Sequence, residues 1–258
     1  MGGGMTVGVT IVGQRQAGRP AVRLYLLHHA GGSRTAFRGW PALFPGDWEV
    51  ARVEAPGRGS GGQRLRLSDF VESVLAQIPC DGVPWAVFGH SMGGLSGFAL
   101  AMAAESAGRE LPVWLGVSAH PGPRIANQHG AQLHRLPAEA LRDAVVSMGG
   151  AGVTALVDDG VWSRVEPVVR RDLVMAETWL PTADPPVIRV PITVYCGQDD
   201  PVAAPVTADA WATHTERFRG VRVFPGGHFY FQQIRDRVTH AIMTDVLAAL
   251  SELEGVSS

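Results

Sequence analysis

The stretch Phe88-Gly89-His90-Ser91-Met92-Gly93-Gly94 restricts the fold of this chain more than any other. An apolar run, Trp85 to Phe88, leads into it, and a small-residue helical pattern, Leu95 to Ala104, leads out. Gly-x-Ser-x-Gly between a strand and a helix describes a nucleophile elbow. The serine sits on a strained turn with its hydroxyl above the sheet, so its neighbours must be small. Gly89 and Gly93 stand where any Cβ would collide with the adjoining helix or strand. The five-residue pattern alone arises often by chance, as a glycine-rich turn with an incidental serine. The rest of the chain decides between the two.

A chain of 258 residues suits one large α/β domain or two small ones, and the former is common at this length. With 46% hydrophobic and 18% charged residues it can bury a sizeable core. A formal charge of −2 without a basic block argues against nucleic acid as a partner. Cys80 and Cys196 lack metal-type spacing, so neither a disulfide framework nor a zinc site is expected. Cys196, in the apolar run Ile192–Cys196, reads as a small buried residue. The N-terminus carries no secretory pattern, and no apolar stretch is long enough to span a bilayer. A cytoplasmic protein with no membrane contact is expected.

Along the chain, Thr6–Val12 is a short candidate strand and Ala21–Leu27 the first core strand. It runs into His28-His29-Ala30-Gly31-Gly32-Ser33. A second strand, Trp48–Val53, ends at the turn-rich Ala55-Pro56-Gly57-Arg58-Gly59. A helix from Ser68, as N-cap, to about Ile78 puts Phe70, Val71, Val74, Leu75 and Ile78 on one face. After the elbow comes the buried strand Val113–Ser118. From about Ile125 to Leu180 the pattern is helical, with breaks at Pro137, Gly149 to Gly152, and Gly160. Alternation resumes with strand Ile192–Cys196, helix Val206–Thr215, strand Val221–Phe224 and a long helix from about Gln232. Strands alternating with helices imply a largely parallel sheet covered on both faces. The helical stretch, about residues 125–185, reads as a lid subdomain within a single domain spanning 1–258.

A serine nucleophile needs a base, and the base needs an orienting carboxylate. In the α/β-hydrolase architecture these follow in the order Ser, Asp or Glu, His, each on a loop after a later strand. Gly197-Gln198-Asp199-Asp200-Pro201 follows one such strand and Gly226-Gly227-His228-Phe229 the next. Asp200 is the acid of choice over Asp199, since Gly-x-x-Asp-Pro is the usual hydrolase arrangement and the proline stiffens the loop. An Asx-type turn with both aspartates solvated is the plain alternative. Among nine histidines, His228 stands out by its glycines and its place after a late strand. His214 and His240 read as surface residues. His129 and His134 fall in or near the lid, and His120 reads as structural or pocket-lining. The oxyanion needs two backbone donors. Met92 N–H, after the nucleophile, is one, and Ala30 N–H, in the glycine-bearing loop after the first core strand, is the other.

These motifs together resemble the type II thioesterases of polyketide and nonribosomal peptide assembly lines. The resemblance rests on His29-Ala30-Gly31-Gly32-Ser33 with Phe37 and Trp40, Pro56-Gly57-Arg58, the elbow, Arg171-Asp172-Leu173, Gly197 to Pro201, and Gly226-Gly227-His228-Phe229. It covers roughly residues 20 to 250. It implies a substrate in thioester linkage to the phosphopantetheine arm of an acyl or peptidyl carrier protein. It also implies an acyl-enzyme on Ser91 and no metal or dissociable cofactor. A monomer is expected. The lid would shape the acyl chamber, with Met148, Trp162 and Met175 as liners or as packing of the lid itself. Arg164, Arg170 and Arg171 could meet an acidic carrier protein, or be scattered surface charge. Two departures stand out: His28 replaces a common proline, and Gly59-Ser60-Gly61-Gly62 makes an unusually glycine-rich loop. A carboxylesterase on soluble esters, and a non-catalytic acyl-binding protein, are the alternatives. The complete Ser91, Asp200 and His228 set argues against the latter.

Overall fold

A computed structural model describes residues 8–13, 18–58, 65–123, 132–150, 152–180 and 186–256. Its strands are β1 (Thr10–Gly13), β2 (Val22–Leu27), β3 (Trp48–Glu54), β4 (Trp85–His90), β5 (Trp114–Ser118), β6 (Ile192–Gly197) and β7 (Phe218–Phe224). They form one seven-stranded sheet in the order β1-β3-β2-β4-β5-β6-β7. Strand β1 is antiparallel to β3, and the other pairings are parallel. The helices are α1 (Leu67–Leu75), α2 (Met92–Ser106), α3 (Ala138–Ser147), α4 (Asp159–Glu177), the single turn α5 (Pro205–Ala208) and α6 (Arg235–Val256).

Strands β2, β4, β5 and β6 are buried at every position. That is what parallel strands covered on both faces require. Period-two alternation divides their side chains between two cores. Tyr25, Leu27, Val87, Leu115 and Val117 face α1 and α2, with Val74, Phe98 and Leu100. Leu24, Leu26, Ala86, Phe88 and Trp114 face the other way, onto Phe37, Trp40, Phe231 and the α6 residues Val238, Ile242 and Val246. Helix α2 is buried almost all round, which suits its small residues and lets it lie close under the sheet.

Chain order and strand order disagree at β2: β3 lies on one side of it and β4 on the other. A reversal of strand order of this kind is where open α/β sheets place their sites, at the carboxyl ends of the strands. Register fixes which loops meet. Leu27 pairs with Gly89, so the loop after β2 stands beside the elbow. Gly197 pairs with Phe224, so the loops after β6 and β7 stand together.

Several boundaries differ from the sequence reading. Helix α1 begins at Leu67 with Arg66 as its cap residue, so Ser68 lies inside it. The Arg66 guanidinium reaches Asp69 at 3.0 and 2.7 Å and anchors the first turn, with the cap two positions earlier than expected. Gly160 is not a break, because the Asp158 side chain caps Val161 N–H at 2.8 Å and carries α4 through it. The helix expected over Val206–Thr215 is α5 followed by a tighter turn, Asp209–His214. Part of the candidate strand Thr6–Val12, the start of the helical stretch near Ile125, His129 and the Gly59–Gly62 loop lie outside the described residues.

Candidate active site

Ser91 is the turn between β4 and α2, with φ 56° and ψ −118°. A non-glycine residue in that region stores about 1–3 kcal/mol of strain and persists only where its surroundings enforce it. They do so through two glycines. A Cβ on Gly89 would stand 2.0 Å from the Gly93 carbonyl oxygen, and one on Gly93 would stand 2.1 Å from that of Leu27. Helix α2 therefore starts against the end of β2. Met92 is its first residue, at the positive end of the helix dipole.

Between Gly89 and Ser91, His90 turns inward and is fully buried. Its Nδ1 lies 2.8 Å from the Ser118 hydroxyl, which lies 2.7 Å from the Tyr230 hydroxyl. This buried chain ties the ends of β4 and β5 to the loop that carries His228.

The His228 imidazole and the Asp200 carboxylate meet at 2.9 and 3.0 Å through Nδ1, and both side chains are essentially buried. Asp200 Oδ1 also accepts from Val202 N–H at 2.8 Å and Ala203 N–H at 3.1 Å. Burial by itself would raise the Asp200 carboxyl. The bonds from His228, Val202 and Ala203 outweigh it and hold the group below its ordinary value. An ionised Asp200 binds the Nδ1 proton of His228 and leaves Nε2 as the nitrogen free to take another. Asp199 is exposed, with its backbone N–H on the Gly226 carbonyl at 3.0 Å.

The loop after β2 is held from two sides. Gly31 N–H donates to Asp172 Oδ2 on α4 at 2.8 Å. Gly31 has φ +75°, and a Cβ there would stand 2.5 Å from Val169 Cγ2, also on α4. Asp172 in turn takes two bonds from Arg58, at 3.0 and 2.7 Å. The Pro-Gly-Arg loop, the glycine loop and α4 are thus one assembly.

Ser91, Met92, Ala30, His29, His120, His228 and Phe229 line a cavity of about 420 Å³. The segment between β5 and β6 also lines it, through Val145, Met148, Val169, Leu173 and Ala176. Burial and the neighbouring His228 lower His120 to about 4, so this wall residue stays neutral at ordinary pH. A mostly apolar chamber with a hydroxyl, an imidazole and helix-terminal donors at one end suits an acyl group presented by its carbonyl.

The sequence model of the thioesterase-domain family matches residues 22–247. The chain belongs to the thioesterase family. It is 32% identical over 218 residues to the gramicidin S biosynthesis protein GrsT of Aneurinibacillus migulanus, covering 82% of this chain and 84% of that one. It is 32% identical over 221 residues to thioesterase PikA5 of Streptomyces venezuelae, covering 81% of this chain and 75% of that one. Among solved structures, the type II thioesterase BorB from the borrelidin biosynthetic cluster superposes with TM-score 0.77 at 31% identity, over 92% of this chain and 97% of that one. The RedJ thioesterase of the prodiginine pathway in Streptomyces coelicolor gives TM-score 0.77 at 29% identity, over 90% of each chain. The chain is therefore an α/β-hydrolase-fold enzyme that hydrolyses thioesters.

Other side chains of this thioesterase differ in place from the sequence reading. Met148 lines the cavity, but Trp162 packs with Leu141 and Val169 inside the helical insertion, under Arg142. Met175 joins the main core beside Ile188 and Phe98. The liners missed include Val145, Val169, Leu173 and Ala176. The last three share a stripe of α4, a helical spacing that the sequence displays without saying where it faces. Arg170 is bound to Glu166 and to the His134 and Leu136 carbonyls, and Arg171 to the Gly57 carbonyl at 2.9 Å. Both knit the fold together, and of the three arginines only Arg164 is exposed. His214 is buried, with Nδ1 on the Pro186 carbonyl at 3.0 Å, whereas His240 is exposed. Cys196 is buried and Cys80 exposed. Among the described residues no group of histidines, cysteines and carboxylates is arranged to hold a metal, and no helix is long and apolar enough to cross a membrane.

Proposed function

We propose that this enzyme acts as a type II thioesterase on acyl or peptidyl groups carried by the phosphopantetheine arm of a carrier protein in a polyketide or nonribosomal peptide assembly line. The reading rests on the convergence of Ser91, the Asp200–His228 pair, and the Ala30 and Met92 backbone on one apolar chamber. The biosynthetic settings named for GrsT, BorB and RedJ support the choice of substrate carrier.

In this mechanism His228 Nε2 takes the Ser91 hydroxyl proton as Oγ attacks the thioester carbonyl. Ala30 and Met92 N–H groups stabilise the oxyanion. The tetrahedral intermediate collapses, the C–S bond breaks, and His228 returns its proton to the pantetheine sulfur. Water then attacks the acyl-enzyme with His228 again as base, releasing the carboxylic acid and free Ser91. Asp200 keeps the imidazole oriented and balances its charge while it holds the extra proton. The helices between β5 and β6 serve as a lid that shapes the acyl chamber. The chemistry calls on no metal or dissociable cofactor.

The test compares turnover of an acyl-loaded carrier protein, the matching acyl-pantetheine and an aryl ester, each with the parent enzyme and Ser91→Ala. Much faster turnover of the carrier-bound thioester, abolished in Ser91→Ala, is expected. Preference for the soluble ester would sink the carrier-protein reading. An unchanged rate in Ser91→Ala would remove Ser91 as the nucleophile.

A further inference from the structure

His28 is the last residue before the glycine loop and is 2% exposed. The Ala55 N–H, one residue past β3, donates to His28 Nε2 at 3.1 Å. That nitrogen therefore carries no proton, and the ring's single N–H is on Nδ1. Nδ1–H donates to the His29 carbonyl at 2.7 Å. The same carbonyl accepts Gly32 N–H at 3.0 Å. The His29 carbonyl and the Ala30 N–H are opposite ends of one planar trans peptide, so a hold on the oxygen sets the direction of the hydrogen. The following peptide is pinned as well, by His29 Nδ1–H on the Ala30 carbonyl at 2.9 Å and by Asp172 on Gly31 N–H at 2.8 Å.

The ring is held neutral, as this arrangement requires. Burial and the charge of Arg58 push His28 down to about 3, which keeps the Nε2 lone pair available to Ala55. The Arg58 guanidinium lies 3.3 Å from Nε2 and is itself fixed by Asp172. His28 thus ties the peptide that carries Ala30 N–H to the rigid end of β3.

We propose that His28 is a positioning residue for the oxyanion hole, its Nδ1–H bond to the His29 carbonyl aiming the Ala30 N–H at the charge that develops beside Ser91. The inference rests on the mechanism proposed above for Ser91. It distinguishes the two ring nitrogens, which simple packing of a buried imidazole does not. The amide nitrogen of asparagine can take the place of Nδ1, whereas glutamine extends to the place of Nε2.

The experiment compares His28→Asn, His28→Gln and His28→Leu by kcat and KM on an acyl-pantetheine, by inhibition with an alkylboronic acid, and by thermal midpoint. The boronic acid forms a tetrahedral adduct on a serine Oγ and reports the oxyanion hole directly. His28→Asn should stay within about threefold of the parent kcat. His28→Gln and His28→Leu should lose about ten- to a hundredfold in kcat with KM within about twofold, and the boronate should weaken in parallel. Equal losses in all three variants that follow the thermal midpoint, or a parent-like kcat in His28→Leu, would overturn the inference. If His28→Leu does not fold, the asparagine and glutamine variants decide. Ser91→Ala is run alongside. Turnover that persists there removes the underlying mechanism and this inference with it. Turnover lost there, with no split among the His28 variants, removes this inference alone.

Discussion

Arg58 and Asp172, one in the loop after β3 and the other on α4, face each other through two hydrogen bonds of 3.0 and 2.7 Å with little access to water. Asp172 also takes Gly31 N–H, so one carboxylate joins the helical insertion to the loop beside Ser91. Replacing Asp172 with alanine strands the Arg58 charge and the Gly31 donor together. Breaking a buried pair in this way costs about 3–5 kcal/mol. Urea unfolding of Asp172→Ala should show that loss. A double replacement, Arg58→Met with Asp172→Leu, should cost less than the alanine change alone, because no charge is then left without a partner.

The elbow glycines allow a sharper contrast. Gly93→Ala pushes a methyl group into the Leu27 carbonyl, which is backbone and has nowhere to go. Soluble yield and Ser91 labelling by a fluorophosphonate should both collapse. Gly108→Ala, at φ +62° with nothing within 4 Å of its Cβ position, should cost only the left-handed strain of about 1–2 kcal/mol and leave turnover intact. Equal tolerance of the two changes would contradict the packing of α2 against β2.

The two neighbouring aspartates should separate by orders of magnitude. Asp200→Asn removes the charge that orients His228 and should lower kcat by about 10³–10⁴ with little change in KM. Asp199→Asn alters an exposed side chain and should stay within about twofold. Steady-state kinetics on one acyl-pantetheine suffice, and the reverse ranking would exchange the roles.

Acid should destabilise this protein earlier than carboxylates alone would. His28 has a folded pKa of about 3 against an ordinary 6.5, because burial and Arg58 disfavour its cation. The unfolded chain therefore binds the extra proton first. The stability this group contributes is complete above about pH 6.5 and declines as pH falls toward 3, by about 1.4 kcal/mol per pH unit for one proton. Asp200 acts in a lower window, since its depressed pKa contributes stability above about 3.8 that is lost on further acidification. Urea unfolding at pH 7, 6, 5 and 4 should show the decline, and His28→Leu should flatten it by one proton. Parallel slopes in parent and variant would show that His28 is not held neutral.

The residues proposed for the reacting centre could be picked out in the sequence because each announces itself within its own turn. Ser91 is marked by glycines at both sides, His228 by Gly226-Gly227, Asp200 by Gly197 and Pro201, and Ala30 by Gly31-Gly32. Each follows an apolar run whose end is the end of a strand. The signal is local, since it arises from steric limits on a few consecutive residues. The chamber was not legible in the same way. Met148, Trp162 and Met175 are equally apolar in sequence, yet Met148 meets the cavity, Trp162 the interior of the insertion and Met175 the main core. His214 read as a surface residue for the same reason: nothing beside it in the chain shows that Pro186 and Phe98 will enclose it.

By itself, then, the sequence determined the alternation of strands and helices, the order Ser91, Asp200, His228, and the glycines without which the turns cannot form. Only the tertiary structure decided which loops become neighbours, through the pairing of Leu27 with Gly89 and of Gly197 with Phe224. It also decided which stripe of α4 faces the cavity beside Ser91, through Val169 on Gly31 and Asp172 on Arg58. The division has a physical cause. Backbone sterics and periodic burial act over a few residues and are written in composition and spacing. The aim of the Ala30 N–H and the shape of the chamber depend on contacts such as Arg58 with Asp172, 114 residues apart in the chain.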